Sequence, residues 1–339
     1  MYSERKLVTV EKILGVKPAS NADALEIVKV RGWNVVVKKG DFKVGDDVLY
    51  FEIDSTLPES DSRFSFLMHK GVKSIVVDGV DYRGHVLRTM KLRGNLSQGL
   101  VLPLSDFPEV NPESEDIAGD LGVVKYEPPI PANLSGQILG KFPSEVRKTD
   151  AERVQNLESS WDAIRKHRWV ATEKIDGSSV TLGFDGEKFR ACSRNWELRV
   201  TDDLSSYDVA KRYGITDVLK AHPGLWIQAE LAGPGVQGNK LRLSGQRLFI
   251  FNVIKNGEYL PRSEWHDRLL KNAAPTLPLE LPETVSETVS QVDGMMSTIS
   301  PDQFAEGVVW HSEIGQGLDY LDGRDCFKAI NNSWLLKDR

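Results

Sequence analysis

Six short runs rich in β-branched and aromatic side chains fill the first hundred residues, and this succession constrains the fold more than any other feature of the chain. The runs occupy residues 7–10, 27–30, 33–37, 47–53, 86–92 and 99–102. Residues that favour turns (Gly, Asp, Asn and Pro) separate them, as in the segment 43–46. The pattern predicts a small β-barrel.

Five or six strands in about a hundred residues indicate the OB type of barrel, which commonly binds single-stranded nucleic acid. Arg88, Lys91 and Arg93 place positive charge on and just after one predicted strand. These three side chains are candidates for contact with a nucleic-acid backbone. A solvated charged face is an equally good interpretation of them.

A second structural pattern begins after a Pro-rich segment, residues 126–131, that cannot continue a sheet or a helix. Residues 151–157 predict a helix capped by Thr149 or Asp150. Further strands are predicted at 169–173, 179–184, 226–231, 247–253 and 307–311, and further helices at 206–213 and 263–271. We therefore predict an α+β protein with an OB-like domain at 1–130 and an α/β domain at 131–339.

Composition fits an intracellular protein. The 339 residues suffice for two domains, and 40% apolar and 27% charged residues are typical of soluble globular proteins. Neither a membrane-length apolar run nor the apolar core of a secretory signal occurs in the sequence, so we expect a cytoplasmic location. Two cysteines and six scattered histidines match no zinc motif, so we expect no structural metal. The net charge of −6 argues mildly against nucleic-acid binding, although a local basic stripe would suffice for it.

The segment 172–179 carries the strongest chemical signal. Lys174 ends an apolar strand and is followed by Asp176 and Gly177, so its amine is held at a rigid edge. The reference pKa of lysine is about 10.4, so a nucleophilic amine must be desolvated or lie beside positive charge. Taken alone, an ordinary turn after a strand explains the segment at least as well.

Segment 172–179 resembles motif I of the covalent nucleotidyltransferases (DNA ligases, RNA ligases and mRNA capping enzymes), whose lysine takes AMP or GMP. Five later segments of this chain resemble five further motifs of that superfamily and follow in the same order. They are motif Ia at 193–195, III at 229–233, IIIa at 249–253, IV at 305–309 and V at 327–330. The resemblance implies an α/β nucleotidyltransferase domain of the ATP-grasp-like ligase type. One departure is Asn252, which stands where many relatives carry Asp.

The resemblance also implies roles for individual residues. Lys174, Asp176, Glu230, Glu306 and Lys328 would form the catalytic set, with Lys328 at the α-phosphate. Asp176, Glu230 and Glu306 would hold Mg²⁺ or Mn²⁺. The nucleotide would be bound by Glu173, Gly177, Arg194, Phe251, Val308 and Arg153, with Phe251 rather than Phe249 stacking on adenine, Val308 covering its other face and Arg153 at the triphosphate.

Each of these residues also has a plainer interpretation. Outside the motif context, Arg194 would be a solvated arginine at a strand end and Lys328 a side chain that reaches the surface, and aromatics such as Phe249 and Phe251 on one strand face are more often core residues. The order of the motifs favours the functional interpretation of Arg194 and Lys328. The carboxylates of Glu230 and Glu306 interrupt apolar strands, which is costly unless a partner is present. Those two glutamates therefore favour a functional site.

The order of the domains resembles the Deinococcus-type RNA ligases, in which an OB domain precedes the catalytic domain. The sequence ends at Arg339, shortly after motif V, where DNA ligases and capping enzymes continue into a further OB domain. The resemblance implies an ATP-dependent RNA ligase that joins RNA 3′-OH to 5′-phosphate ends through lysyl-AMP, at breaks in duplexes. RNA would be the partner, and no protein partner is inferred.

Three alternatives remain open at this point. A DNA ligase would seal an all-DNA nick equally well, and a capping-type guanylyltransferase would label with GTP. A non-catalytic RNA-binding protein would label with neither nucleotide.

Overall fold

The computed structural model describes residues 5–77, 80–127 and 136–337. By its internal contacts the chain divides into two compact units, residues 1–130 and 131–339. The predicted Pro-rich connector lies mostly outside the described residues. None of the described helices is both long and apolar enough to cross a membrane.

Short strands dominate unit 1. They are β1 (Val8–Lys12), β2 (Gly15–Pro18), β3 (Leu25–Val30), β4 (Trp33–Lys38), β5 (Asp47–Phe51), β6 (Ser55–Pro58), β7 (Lys73–Val77), β8 (Val80–Val86), β9 (Met90–Leu92), β10 (Asn95–Ser97), β11 (Leu100–Pro103) and β12 (Val124–Lys125). One short helix, α1 (Ile117–Asp120), and two 3₁₀ segments, Ser62–Lys70 and Leu104–Asp106, join them. The strand orders are β1-β5-β11, β2-β3-β4, β12-β6-β8-β7 and β9-β10.

Strand β5 shows why this unit is rich in apolar strands. It lies between β1 and β11, and successive side chains of a strand point to opposite faces. Leu49 and Phe51 belong to one hydrophobic core, whereas Val48 and Tyr50 belong to another. The run is therefore apolar throughout, because both of its faces are covered.

Unit 2 contains two larger sheets. Its strands are β13 (Ile138–Lys141), β14 (Glu152–Arg153), β15 (Trp169–Lys174), β16 (Ser178–Phe184), β17 (Phe189–Cys192), β18 (Trp196–Leu198), β19 (Leu225–Ala232), β20 (Arg247–Lys255), β21 (Glu258–Tyr259), β22 (Gly307–Ser312) and β23 (Cys326–Ile330). Seven form the sheet β13-β18-β17-β16-β19-β20-β21, and four form the sheet β14-β23-β22-β15.

Helices and 3₁₀ segments connect these strands. They are α2 (Trp161–Ile164), α3 (Ser205–Arg212), α4 (Ile215–Ala221), α5 (Asp267–Leu270), α6 (Val285–Val292) and α7 (Asn332–Lys337), with 3₁₀ turns at Val154–Ser160, Gln237–Asn239, Arg262–Glu264 and Asp319–Leu321. The five strands predicted beyond residue 169 and the helix at 206–213 are confirmed.

Three local predictions are wrong. The predicted strand 86–92 is broken, because β8 pairs with β6 whereas β9 turns back to pair with β10. Residues 152–153 form a strand rather than a helix, because they pair with β23 at the sheet edge. The predicted helix 263–271 is interrupted where Trp265 and His266 are extended and the His266 side chain caps α5.

Candidate active site

Lys174 lies where the chain passes from one sheet of unit 2 to the other. It ends β15 in the four-stranded sheet, and Ser178 begins β16 in the seven-stranded sheet. Gly177 lies in this crossing, where a β-carbon would come 2.3 Å from the carbonyl oxygen of Leu231. Only glycine therefore lets the crossing lie against β19, the strand that carries Glu230.

The Lys174 amine makes an ion pair with Glu306, the residue before β22. Its Nζ lies 2.6 Å from Glu306 Oε1, and the lysine side chain is 25% exposed. Burial by itself would lower the pKa of the amine, but the negative charges of Glu306, Glu230 and Asp176 outweigh burial and raise that pKa. The sequence led us to expect that the amine is desolvated or lies beside positive charge. The amine is desolvated, but the charges that act on it most strongly are negative.

Neighbouring carboxylates disfavour the charged forms of Glu230 and Asp176. Burial, with the charges of Glu306 and Asp176, raises the pKa of Glu230 to about 8 despite the opposing effect of Lys174. Burial and Glu306 also raise the pKa of Asp176, whose Oδ2 lies 3.1 Å from the Nζ of Lys240. A divalent cation would relieve this repulsion, and carboxylate oxygens are the donors that Mg²⁺ and Mn²⁺ prefer. The residues present therefore fit a metal of that kind.

Basic residues form the other half of the site around Lys328 on β23. Burial lowers the pKa of Lys328 to about 7, and the charges of Arg153, Lys174 and Arg194 contribute in the same direction, against Asp150. Arg153 is the direct strand partner of Lys328. Asp150 accepts a hydrogen bond from Arg194 Nη2 at 2.5 Å.

Strand pairing puts Lys174 and Lys328 on the same face of their sheet. Residues that pair directly across neighbouring strands share a face of the sheet, and so do residues two positions apart along one strand. Thr172 of β15 pairs with Val309 of β22, which pairs with Lys328 of β23. Lys174, two residues after Thr172, joins them on that face.

Val308 does not lie on this face. It is fully buried on the opposite side, in the core that contains Trp310 and Phe327. The prediction that Val308 covers adenine is therefore wrong, because the strand turns it into the core. Val309 is half-buried on the face of Lys174.

The two candidate aromatic residues differ in accessibility. Phe249 is 2% exposed, and the Arg247 guanidinium lies 4.9 Å from the centre of its ring. Phe251 is only half-buried and packs at the edge of a cluster that includes Ile175. Of the two rings, that of Phe251 is the more available to a ligand.

Glu173 points away from the amine of its neighbour. Its carboxylate is buried, at 2% exposure, and accepts hydrogen bonds from the hydroxyls of Ser297 and Thr298 and from the Thr298 amide at 2.8 Å. The predicted nucleotide contact of Glu173 could therefore come only from its backbone, since these bonds engage the side chain.

The structure adds two residues to those the sequence singled out for the site. Asp150 was predicted as a helix cap and given no role in the site, and Lys240 was not considered, yet each makes an ion pair with a predicted site residue. Neither occurs in a motif, so only the fold brings them to the site. In unit 1, Arg88, Lys91 and Arg93 are all exposed, and the Arg88 guanidinium lies 5.4 Å from the centre of the Tyr126 ring.

Comparisons with known proteins match both units. Residues 7–104 match a family described as an OB-fold domain, and residues 167–330 match the family described as RNA ligase. The search of curated proteins found no match.

Several solved structures of the RNA ligase of Naegleria gruberi are similar to the chain. The complex with PPi is 36% identical, with a TM-score of 0.85 over 99% of this chain and 100% of that one. A lysine-to-alanine mutant with ATP and Mn is 36% identical, with a TM-score of 0.85 over 98% and 100%. A glutamate-to-alanine mutant with AMP and Mn is 37% identical, with a TM-score of 0.86 over 99% and 100%. With similarity of this degree along both units, the chain belongs to the RNA ligase family.

Proposed function

We propose that the chain is an ATP-dependent RNA ligase that forms a covalent lysyl-AMP intermediate on Lys174. One observation carries the proposal. The Lys174 amine lies beside two groups: the carboxylates of Glu306, Glu230 and Asp176, whose charges act on it, and the basic residues around Lys328, with which it shares a sheet face. The first group suits a divalent cation, and the second suits the phosphates of a nucleotide.

The first step needs Lys174 in its neutral form. Its ammonium gives up a proton, which Glu306, 2.6 Å away, can accept and pass to solvent, so that its carboxylate stays charged. The nitrogen lone pair then forms a P–N bond to the α-phosphorus of ATP, while the bond from that phosphorus to the bridging oxygen of pyrophosphate breaks.

Asp176, Glu230 and Glu306 would hold Mg²⁺ or Mn²⁺. When bound, such an ion supplies positive charge that lowers the pKa of Lys174 and stabilises the charge on the phosphate oxygens. Lys328 adds to this stabilisation at the α-phosphate, and Arg153 contacts the triphosphate.

The remaining site residues position the nucleotide. Phe251 stacks on adenine and Val309 covers its other face, while Arg194 contacts the ribose or the acceptor end. Gly177 lets the crossing approach Glu230 closely.

Two further transfers complete sealing. The RNA 5′-phosphate attacks the α-phosphorus of lysyl-AMP, which breaks the P–N bond and frees Lys174. The RNA 3′-OH then attacks the activated 5′-phosphate, AMP leaves, and a phosphodiester forms. We assign RNA contacts at breaks in duplexes to the exposed Arg88, Lys91 and Arg93 of the OB-fold unit.

Adenylylation is tested directly with ATP labelled in the α-phosphate. The wild type with Mg²⁺ should give a labelled, acid-stable adduct, and Lys174→Ala should give none. Lys188→Ala, which changes an exposed lysine in a turn, is the matched control and should label normally. Normal labelling of Lys174→Ala would overturn the proposal.

Substrate choice is tested with GTP and with defined nicks. ATP should label the protein and GTP should not, which separates a ligase from a capping-type enzyme. A duplex nick with an RNA 3′-OH strand should be sealed faster than an all-DNA nick. Equal sealing of both would instead favour a DNA ligase, and labelling by neither nucleotide would favour a non-catalytic RNA-binding protein.

A further inference from the structure

A second group of chemically reactive side chains lies on β22 and β23, away from the three carboxylates. His311 and Cys326 are direct partners across the two antiparallel strands, and Asp325 precedes Cys326. Each offers one ligand atom, and these atoms all lie within 4.8 Å of one another. In the described part of the chain, this is the only set of three His, Cys, Asp or Glu side chains gathered so closely.

All three side chains are buried, and two of them, those of His311 and Asp325, have polar atoms without the hydrogen bonds that burial requires. Their residues are 7%, 7% and 4% exposed for His311, Cys326 and Asp325. Neither ring nitrogen of His311 has a hydrogen-bond partner among the described residues, and Asp325 Oδ1 has none there either. His311 Nδ1 lies 3.8 Å from Asp325 Oδ2, which is too long for a hydrogen bond. Buried polar atoms in this condition are rare and call for a missing partner.

We propose that His311, Asp325 and Cys326 bind a zinc ion. Imidazole nitrogen, thiolate sulfur and carboxylate oxygen are the three donor types that zinc takes in proteins, and a water molecule can fill the fourth position. Bound zinc would give the orphaned nitrogen of His311 and the orphaned oxygen of Asp325 the partner that they lack. The site is separate from the metal position proposed at Asp176, Glu230 and Glu306.

Charge balance supports a divalent ion. Zinc with one thiolate and one carboxylate is neutral, so that the occupied site could be buried without a net charge. Zinc takes cysteine as the thiolate, so binding displaces the thiol proton of Cys326.

The fold, rather than the sequence spacing, creates this group. Cys326 and His311 are 15 positions apart and fit no zinc motif, so the sequence predicted no structural metal. Cys326 shares a face with Lys328, two residues or about 7 Å along the strand. Zinc would therefore anchor the end of the strand pair that carries Lys328.

Metal analysis and cobalt substitution test the proposal on the full chain. Protein purified without chelator should hold about one zinc per chain, and the cobalt form should show a thiolate-to-cobalt charge-transfer band. Cys326→Ser should abolish the band and His311→Gln should weaken zinc binding at least tenfold. Cys192→Ser is the matched control, because Cys192 is also buried but lies in β17, and it should retain both properties.

Thermal unfolding provides a second readout, which needs only the wild type and the Cys192→Ser control. Zinc should raise the melting temperature of the wild type and of Cys192→Ser, and excess Mg²⁺ should not replace it. A wild type that binds no zinc, or a charge-transfer band unchanged in Cys326→Ser, would overturn the proposal. The result is independent of adenylylation, since zinc binding is measured in the absence of ATP.

Discussion

The lowered pKa of Lys328 makes nucleotide binding depend on pH. Burial brings the pKa of this amine to about 7, so half of the molecules carry a neutral Lys328 at that pH. Only the charged form can attract a phosphate strongly, and a bound phosphate in turn favours the charged form. Lys328→Arg isolates this effect, because an arginine at the same position stays charged over the whole pH range.

The magnitude follows from the fraction of charged Lys328. With a pKa of about 7, this fraction falls from about one half at pH 7 to about one hundredth at pH 9, and the apparent Kd rises by its inverse. We therefore expect binding to weaken about 50-fold between these pH values in the wild type, or about 2.4 kcal/mol. The Lys328→Arg variant should lack this component.

The assay is titration with α,β-methylene-ATP, which binds like ATP but cannot be attacked at its α-phosphorus with loss of pyrophosphate. Deprotonation of Glu230, whose pKa is about 8, affects both proteins, so the ratio of their Kd values isolates Lys328. That ratio should change by about 50-fold from pH 7 to pH 9. Parallel pH profiles of the two proteins would refute the reasoning, and thermal unfolding of Lys328→Arg shows whether the variant is folded.

Three further predictions concern stability and binding. Lys328→Met should stabilise the fold at pH 7 by about 2 kcal/mol in urea unfolding while abolishing AMP labelling. Because the pKa of Lys328 is lowered, the unfolded wild type binds more protons than the folded one between pH 7 and 10.5, so the wild type becomes more stable as the pH rises through that window. The extra stability of Lys328→Met over the wild type should therefore shrink over the same range. An advantage that persists at pH 11 would contradict this cause. Glu173→Ala should lower the free energy of unfolding by about 3 kcal/mol and Ser297→Ala by about 1 kcal/mol; equal losses would show that the buried carboxylate is not the centre of that network. Val308→Ala should lower the free energy of unfolding by about 2 kcal/mol and leave the affinity for the ATP analogue unchanged. Val309→Ala should weaken binding of the analogue and leave the free energy of unfolding nearly unchanged. Weaker analogue binding by Val308→Ala alone would restore the prediction that Val308 covers adenine.

Much of the architecture could be predicted from the sequence, because strands and turns leave local patterns. The strands on either side of Lys174 are apolar runs bounded by turn residues, and they are found where the pattern places them. The errors arose where tertiary pairing overrides local preference. Residues 152–153 lie in a segment of helical appearance but pair with β23 at the sheet edge.

The site was predictable in its residue types but not in its geometry. Successive side chains of a strand point to opposite faces, so the sequence shows that Val308 and Val309 lie on different faces of the sheet. It does not show which face is covered by the core. The pairing of Val309 with Thr172 places Val309 on the face of Lys174. Asp150 and Lys240 belong to no motif, and only folding brings them beside Arg194 and Asp176.

The ionisation states of the site follow from the burial and the charges of its own residues. Glu230, which is half-buried and has a pKa of about 8, is largely protonated at pH 7, and Lys328 with a pKa of about 7 is half neutral. Both shifts have the same cause, since a buried group avoids charge when no partner neutralises it. Lys174 differs because Glu306 and its neighbours keep it charged, and therefore not nucleophilic. At pH 7, binding of ATP with a divalent cation should thus release protons from Glu230 and Lys174 and add about half a proton per molecule to Lys328, so that Lys174 becomes nucleophilic only when its substrate is present.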